Sequence, residues 1–480
     1  MNRSALWYKL GKIGVSGKLI STFRCIYSQS KFAVKTAQNK RSQYIASKTG
    51  VLQGCQLSPL LFILFINDLV ECLQAENCDS PRICNQNICA LLFADDLVLC
   101  SYTVQGLQRL LDRLKIYCEY WNLEVNEQKT KTMVFKKGMK LSNLECWNYK
   151  GQNLETVNHF KYLGMIFSYN GQWKTHCKES IKNARSNISQ IIKTCYRCSY
   201  LPSYLLLKLY DATVKSALLY GSEIWGLEAD LTIDSPGTSF YKKLLRMPMS
   251  TSNVGIHLYL NREGINVSHR AEALLRALLY WYKIQKMDES RLPRRCYVYQ
   301  LDQISKGISC WAGKIKFLLE SLGLQEMWYN TPRNINQFRA KCTEKLVERE
   351  WNRLAELSTI YPSLTSIRTV QSLAGRGAPI IAQPIQSNPE KLRWLIMTLL
   401  ACPGRLVKYK RDSKICSLCG VPVNDIFPHI VAFCARVQNR KWRTTILNLI
   451  VSIQSDPGSA TSSLVYWLFL SSDRFRIQQD

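Results

Sequence analysis

Short apolar runs broken by polar residues mark the early part of the chain, and the tightest is Ile88 to Ser101, ICALLFADDLVLCS. Two apolar runs flank Asp95 and Asp96, and neither is long enough to be a helix alone. The pattern predicts a β-hairpin covered on both faces, with its acids at the tip. Carboxylates taken out of water are costly without a positive partner opposite them. A divalent metal is the obvious candidate for that partner; the other reading of an Asp-Asp pair is a turn solvated at a sheet edge.

The same reading places elements on either side. Helices are expected near Ser4 to Leu10 and Lys18 to Ser28, separated by a turn at Gly11, Gly14 and Gly17. Strands follow near Lys31 to Ala37 and Gln43 to Thr49. In GVLQGCQLSPLLFILFINDL, Gly50 to Leu69, Ser58 and Pro59 read as an N-cap and a first-turn proline. The helix after them is apolar almost all round, hence buried. Gln53 and Gly54 lie just before it, where free N–H groups and the positive helix end suit a nucleotide or template.

Val104, Leu107, Leu110, Leu111, Leu114, Tyr117, Cys118 and Trp121 share one helical face, and a strand is expected near Thr130 to Phe135. Lys129 stands at its start, within reach of a phosphate. FKYLGMIFS, Phe160 to Ser168, reads as a second, tighter hairpin around Gly164. From Trp173, an apolar stripe (Cys177, Ile181, Ala184, Ile188, Ile191, Ile192, Cys195) runs beside a basic one, Lys174, Lys178, Lys182 and Arg185. Such a helix can pack on a core and track a phosphate backbone. Another helix is expected over 203–220, ended by Gly221. Residues 235–370 read as predominantly helical, and Gly375 to Pro389 as a linker.

Charge adds a partner to this picture. The 480 residues are 46% hydrophobic and carry a net charge of +29, which calls for a polyanion, most simply nucleic acid. Residues 1–50 hold ten Lys or Arg and no acid, enough to line one wall of a groove. The 19 cysteines, an odd number without regular spacing, predict reduced thiols and an intracellular protein. No membrane role is expected, because the longest apolar run, Leu57 to Ile66, is too short to cross a bilayer. Near the C-terminus, Cys416-x2-Cys419-x9-His429-x4-Cys434 has spacing suited to tetrahedral zinc and sits between basic flanks.

Taken in order, GVLQGCQLSPLLFILFINDL, LLFADDLVLCS, NEQKTKTMVF and FKYLGMIFS resemble the reverse transcriptase domain of LINE-type (non-long-terminal-repeat) retrotransposons. The resemblance implies an α+β right-hand polymerase fold: partial fingers and palm over 1–172, a mainly helical thumb and connection over 173–370, a linker over 371–390 and a CCHC zinc module over 391–480. It implies an RNA-directed DNA polymerase with Mg²⁺ on Asp95 and Asp96 and Zn²⁺ on Cys416, Cys419, His429 and Cys434. Lys129 matches the family's lysine near the nucleotide phosphates. Gln53 and Gly54 match the block that contacts template and incoming nucleotide. Tyr162, Leu163 and Gly164 match the primer-grip hairpin, and Phe93 stands where the family often has Tyr. RNA template, DNA primer or target and dNTPs are the implied partners, in the nucleus or a cytoplasmic ribonucleoprotein.

The family's first palm strand carries a further catalytic aspartate just before a segment like NRSALWYKLGKIGVSGKL, which here begins at residue 2. The chain is therefore expected to be truncated at its N-terminus and impaired as a polymerase. The alternative is an inactive RNA- or DNA-binding remnant. A group II intron-type maturase shares the palm blocks, but the CCHC element and Tyr162-Leu163-Gly164 argue against it.

Overall fold

The computed structural model describes residues 1–360, apart from 36–40, 75–78, 85, 137–144, 198–202, 245–248, 250 and 261–267. The linker, the C-terminal module and its Cys416, Cys419, His429 and Cys434 lie outside the described residues. The chain divides into two compact units, Met1–Gln172 and Trp173–Asp480. Helix and strand are mixed, with helix predominant.

In the first unit, helices Arg3–Lys12 and Gly17–Ser28 start at Asn2 and Ser16, whose side chains accept N–H bonds from Ser4 and Leu19. Strands Lys31–Phe32 and Ile45–Ala46 pair antiparallel and are shorter than expected, with one further bridge at Lys35 and Arg41. Leu6, Leu10, Tyr27, Leu61 and Phe65 form one core, against which Leu92 and Trp121 also pack.

The helix after Gly54 runs Leu57–Ile66, two residues earlier than its sequence suggests. Ser58 is not its cap. The hydroxyl is buried, donates to the Leu52 carbonyl at 2.5 Å and lies 3.3 Å from the Tyr27 hydroxyl. Nor is the helix buried all round: Leu61 and Phe65 face the core, whereas Leu60 and Ile63 are exposed. Leu57 to Gln74 together are long and apolar enough to be a candidate membrane span. The chain breaks there into Leu57–Ile66 and Leu69–Gln74, and Asp68 between them pairs with Lys9 at 2.6 Å.

Helix Val104–Trp121 begins at the Thr103 side chain and ends at Asn122, whose left-handed φ of 52° terminates it. Its inner face, Leu110, Leu111, Leu114, Tyr117 and Cys118, packs on Leu69, Leu73, Trp147 and Tyr149. Strand Lys131–Thr132 pairs in parallel with Glu155–Thr156, again shorter than expected.

In the second unit, helix Lys174–Arg197 buries Ile181, Ala184, Ile188 and Ile191, as its spacing predicts. The helix expected over 203–220 runs to Leu218 and contains a π-helical turn, Tyr210–Lys215. Tyr210 there stacks on Phe240, with ring centroids 4.4 Å apart. Helices His269–Gln285, Leu292–Ser305, Trp311–Ser321 and Ile335–Ile360 enclose the main core around Trp281, Leu278, Ile315 and Phe338. The described cysteines are all free thiols.

Candidate active site

Strands Ala90–Phe93 and Asp96–Leu99 pair antiparallel, and their last pair is Phe93 with Asp96. That register leaves Ala94 and Asp95 as a two-residue turn. Ala94 has φ 51°, a left-handed conformation that costs a residue with a Cβ ~1 kcal/mol. Leu92, Leu97 and Leu99 anchor the strands on the helix behind, while Leu91 and Phe93 point outward.

Asp95 and Asp96 are both exposed, so the expectation of a buried pair is corrected. They keep their hydration, and no burial penalty requires a partner. What the turn offers is two adjacent negative charges open to solvent, a natural seat for a hard cation that prefers oxygen ligands. Among the described residues, no group of three His, Cys, Asp or Glu side chains is placed to hold a metal ion.

The second hairpin pairs His159–Tyr162 with Met165–Ser168 and turns on Leu163 and Gly164, at φ 47° and 81°. Two left-handed residues give the twist that a two-residue hairpin needs; glycine adopts it freely, leucine under strain. Tyr162 is half-buried, 6.4 Å from Phe167 between ring centroids. Burial pushes its phenol pKa up, and the Asp96 carboxylate and Cys100 thiol push it further. Tyr162 thus lies within the electrostatic field of Asp96.

The reverse transcriptase (RNA-dependent DNA polymerase) family model matches residues 2–167, which contain both hairpins. This is a reverse transcriptase domain. A probable RNA-directed DNA polymerase from transposon BS of Drosophila melanogaster is 28% identical over 211 residues, 42% of this chain and 22% of that protein. The Pol polyprotein of type-2 retrotransposable element R2DM, also from D. melanogaster, is 30% identical over 188 residues, 38% of this chain and 18% of its own length. The RNA-directed DNA polymerase from mobile element jockey of D. funebris is 23% identical over 232 residues, 47% and 24% of the two chains. The matched stretch thus spans about a fifth of each of these relatives. Together they place the domain with LINE-type reverse transcriptases, nucleotidyltransferases by family.

Within the reverse transcriptase domain, Gln53 and Gly54 are exposed on the turn before helix Leu57–Ile66. Gly54 has φ 85°, and a Cβ built there would meet no atom within 4 Å. The backbone at Gly54 is therefore open to close approach by a ligand. Lys129 is exposed on a turn two residues before its strand, with its own N–H bonded to the Asn126 carbonyl at 3.2 Å and side-chain oxygen at 3.1 Å. No hydrogen bond or ion pair among the described residues joins Lys129 or Gln53 to the aspartates.

Two basic residues of the first fifty do not line a groove. Lys9 is buried, with Nζ donating to the Phe65 carbonyl (2.8 Å), Asp68 (2.6 Å) and the Tyr117 hydroxyl (2.8 Å). It also lies 3.9 Å from the Trp121 ring centroid. Arg3 donates to the carbonyls of Gly50 (2.9 Å), Tyr27 (3.1 Å) and Ser47, and to the Ser47 hydroxyl. The signal for Lys9 was present: it falls beside Leu6 and Leu10 on the apolar face of its helix. Lys12, Lys18, Arg24, Lys31, Lys35, Arg41 and Lys48 remain exposed.

In the second unit, Lys174, Lys178, Lys182 and Arg185 are exposed along one helix. Lys182 lies 3.5 Å from Glu179, and Arg185 donates to the Ser235 hydroxyl at 3.2 Å.

Proposed function

We propose that this chain supplies the palm of an RNA-directed DNA polymerase of a LINE-type element, acting on an RNA template, a DNA primer or target and dNTPs. The observation that carries this reading is the exposed Asp95-Asp96 tip, with Tyr162 in the field of Asp96, inside the segment that matches the reverse transcriptase family. Asp95 and Asp96 would hold Mg²⁺, which when bound stabilises charge on the attacking and leaving oxygens of phosphoryl transfer. Gly54 offers its bare backbone to template or nucleotide, Gln53 a polar side chain, and Lys129 an exposed cation for phosphate. Phe93 presents an exposed ring next to the dyad, and the Tyr162-Leu163-Gly164 turn holds the primer end. Lys174, Lys178, Lys182 and Arg185 contact a phosphate backbone, and Cys416, Cys419, His429 and Cys434 bind zinc in a nucleic-acid module.

A second reading has its own support. Two-metal chemistry needs a carboxylate facing the dyad, residues 1–50 contain none, and the described residues group no third metal-ligating side chain with it. The polypeptide taken alone would then bind nucleic acid and polymerise poorly. Primer extension on an RNA template with Mg²⁺, by this chain and by a version extended upstream with an acid-bearing strand, separates the two readings. cDNA from the extended version only supports the impaired reading, and equal synthesis by both removes it. Elemental analysis should give about one zinc per chain, lost on Cys416→Ser; metal-free protein would dismiss the zinc module.

A further inference from the structure

The second unit contains a cavity of about 400 Å³, within the range of small-ligand pockets. Four aromatic residues line it, Trp173, Tyr280, Tyr297 and Trp311, with Lys314 and Glu228 ion-paired at 2.5 Å. Trp311 and Tyr280 meet edge to face, with centroids 6.0 Å apart and planes at 70°, and the indole N–H of Trp311 is already given to the Glu223 carbonyl at 3.2 Å. The Trp311 ring is thus held in place by a bond to a residue outside the lining, and the cavity is rich in aromatic surface. The Gln300 side-chain oxygen accepts from the Ala312 N–H at 2.8 Å, which leaves its amide NH₂ as a donor at the lining.

Charge identifies the occupant. Trp173 immediately precedes helix Lys174–Arg197, so the exposed stripe Lys174, Lys178, Lys182 and Arg185 starts at the cavity and extends roughly 17 Å from it. A basic track beside an aromatic pocket is the pairing that single-stranded nucleic acid requires, with phosphates on the cations and a base on the rings. A protein side chain would fit the apolar lining but would have no use for the track. We propose that this cavity captures one unstacked nucleobase of a single-stranded RNA or DNA whose backbone runs along the 174–185 stripe. The site is separate in sequence from the Asp95-Asp96 tip, and the inference holds whether or not the chain polymerises.

The probe is a single-stranded RNA of about twenty nucleotides carrying 5-iodouridine, bound to the full chain without dNTPs and photo-crosslinked. Crosslinks are expected at Trp311, Tyr280 or Tyr297, beside those in the first unit. Trp311→Ala should weaken binding of the single strand by about five- to a hundredfold, the range of one lost base stack, and leave binding of a duplex of equal length unchanged. Because Trp311→Ala also removes a structural hydrogen bond, Cys296→Phe serves as a second variant. Cys296 lines the cavity, and the added ring fills it without removing a ring contact. With an unchanged thermal melt, it should cause a similar loss. Single-strand affinity unaffected by Cys296→Phe, or crosslinks confined to residues 1–172, would overturn the proposal and leave the cavity to an apolar protein side chain.

Discussion

Aspartates stand at the centre of two regions of this molecule, and their surroundings differ in kind. Asp95 and Asp96 sit at the exposed tip of a hairpin, the first in its turn and the second opening its return strand, with a half-buried tyrosine in the field of Asp96. Asp234, in the helical unit, is buried and accepts from the Arg270 N–H at 3.0 Å and the Ser268 hydroxyl at 3.4 Å, at the start of helix His269–Gln285. His269 lies 3.8 Å from Asp234 and 2.9 Å from the Tyr210 hydroxyl, and Gly237 is bare because a Cβ there would strike the His269 ring. Asp234 has taken its partners from its own chain. Among the described residues, the tip's side chains have taken none. Supply of partners, and not residue type, separates a carboxylate that holds a fold together from one left open for chemistry.

That contrast makes its strongest claim about substitution. In a polymerising form of the protein, Asp95→Ala should lower cDNA synthesis at least about a hundredfold while stability stays within ~0.5 kcal/mol. Asp234→Ala should do the reverse, costing ~3 kcal/mol in denaturant unfolding, because the Arg270 and His269 backbone donors and the Ser268 hydroxyl lose a buried acceptor. A stability loss from Asp95→Ala equal to that from Asp234→Ala would erase the distinction.

Lys9 sharpens the comparison from the first unit, since it is the buried charge there. Lys9→Ala should cost ~2 kcal/mol, less than a fully enclosed pair, because the Asp68 side chain is 47% exposed and water takes over part of its pairing. Thermal melts of the variant against the parent chain would measure this, and a neutral result would make the aromatic box around Lys9 incidental.

A smaller, continuous effect should come from pH. Burial pushes His269 down to about 3 and His257 to about 4, below the ordinary 6.5, while burial pushes Asp234 up to about 6. The two histidines bind protons on unfolding and destabilise the fold as pH falls below about 6.5. Asp234 releases one and acts in the opposite direction between about pH 4 and 6. Near pH 5 the balance is roughly one proton taken up on unfolding, so the helical unit should lose ~1 kcal/mol per pH unit there. Denaturant midpoints followed from pH 7 to 5 should decline accordingly; a flat profile would mean that the two histidines are not buried as found here. The smallest effect is expected at the tip: Ala94→Gly, which relieves a left-handed alanine, should be neutral to ~1 kcal/mol stabilising by chemical denaturation.

Much of the scaffold was legible because it is local. The 90–99 and 159–168 hairpins and helix Val104–Trp121 follow from period and turn residues within a few positions. What escaped depends on distant partners. Ser58 reads as a cap until Tyr27 and Leu52 are brought to it. Lys9 reads as groove lining until Asp68 and Tyr117, 59 and 108 residues away, close around it. The dyad reads as buried because its neighbours are apolar, yet Leu91 and Phe93 face outward and the tip is solvated. Nothing in the sequence marks Asp234, His257 and His269 as one buried network, since no periodic pattern joins them. Of the candidate site, the residue types and their order were legible; only the structure adds that Tyr162 lies in the field of Asp96 and that Lys129 is not bonded to either aspartate.

The most direct test of the Asp95-Asp96 tip as the polymerase centre is primer extension on an RNA template with Mg²⁺, using the form extended by an acid-bearing strand, with Asp95 intact or replaced by Ala. The expected result is cDNA from the first and none above background from the second, with identical melting curves. Full-length cDNA from the Asp95→Ala protein would contradict the assignment and move the catalytic centre away from this hairpin.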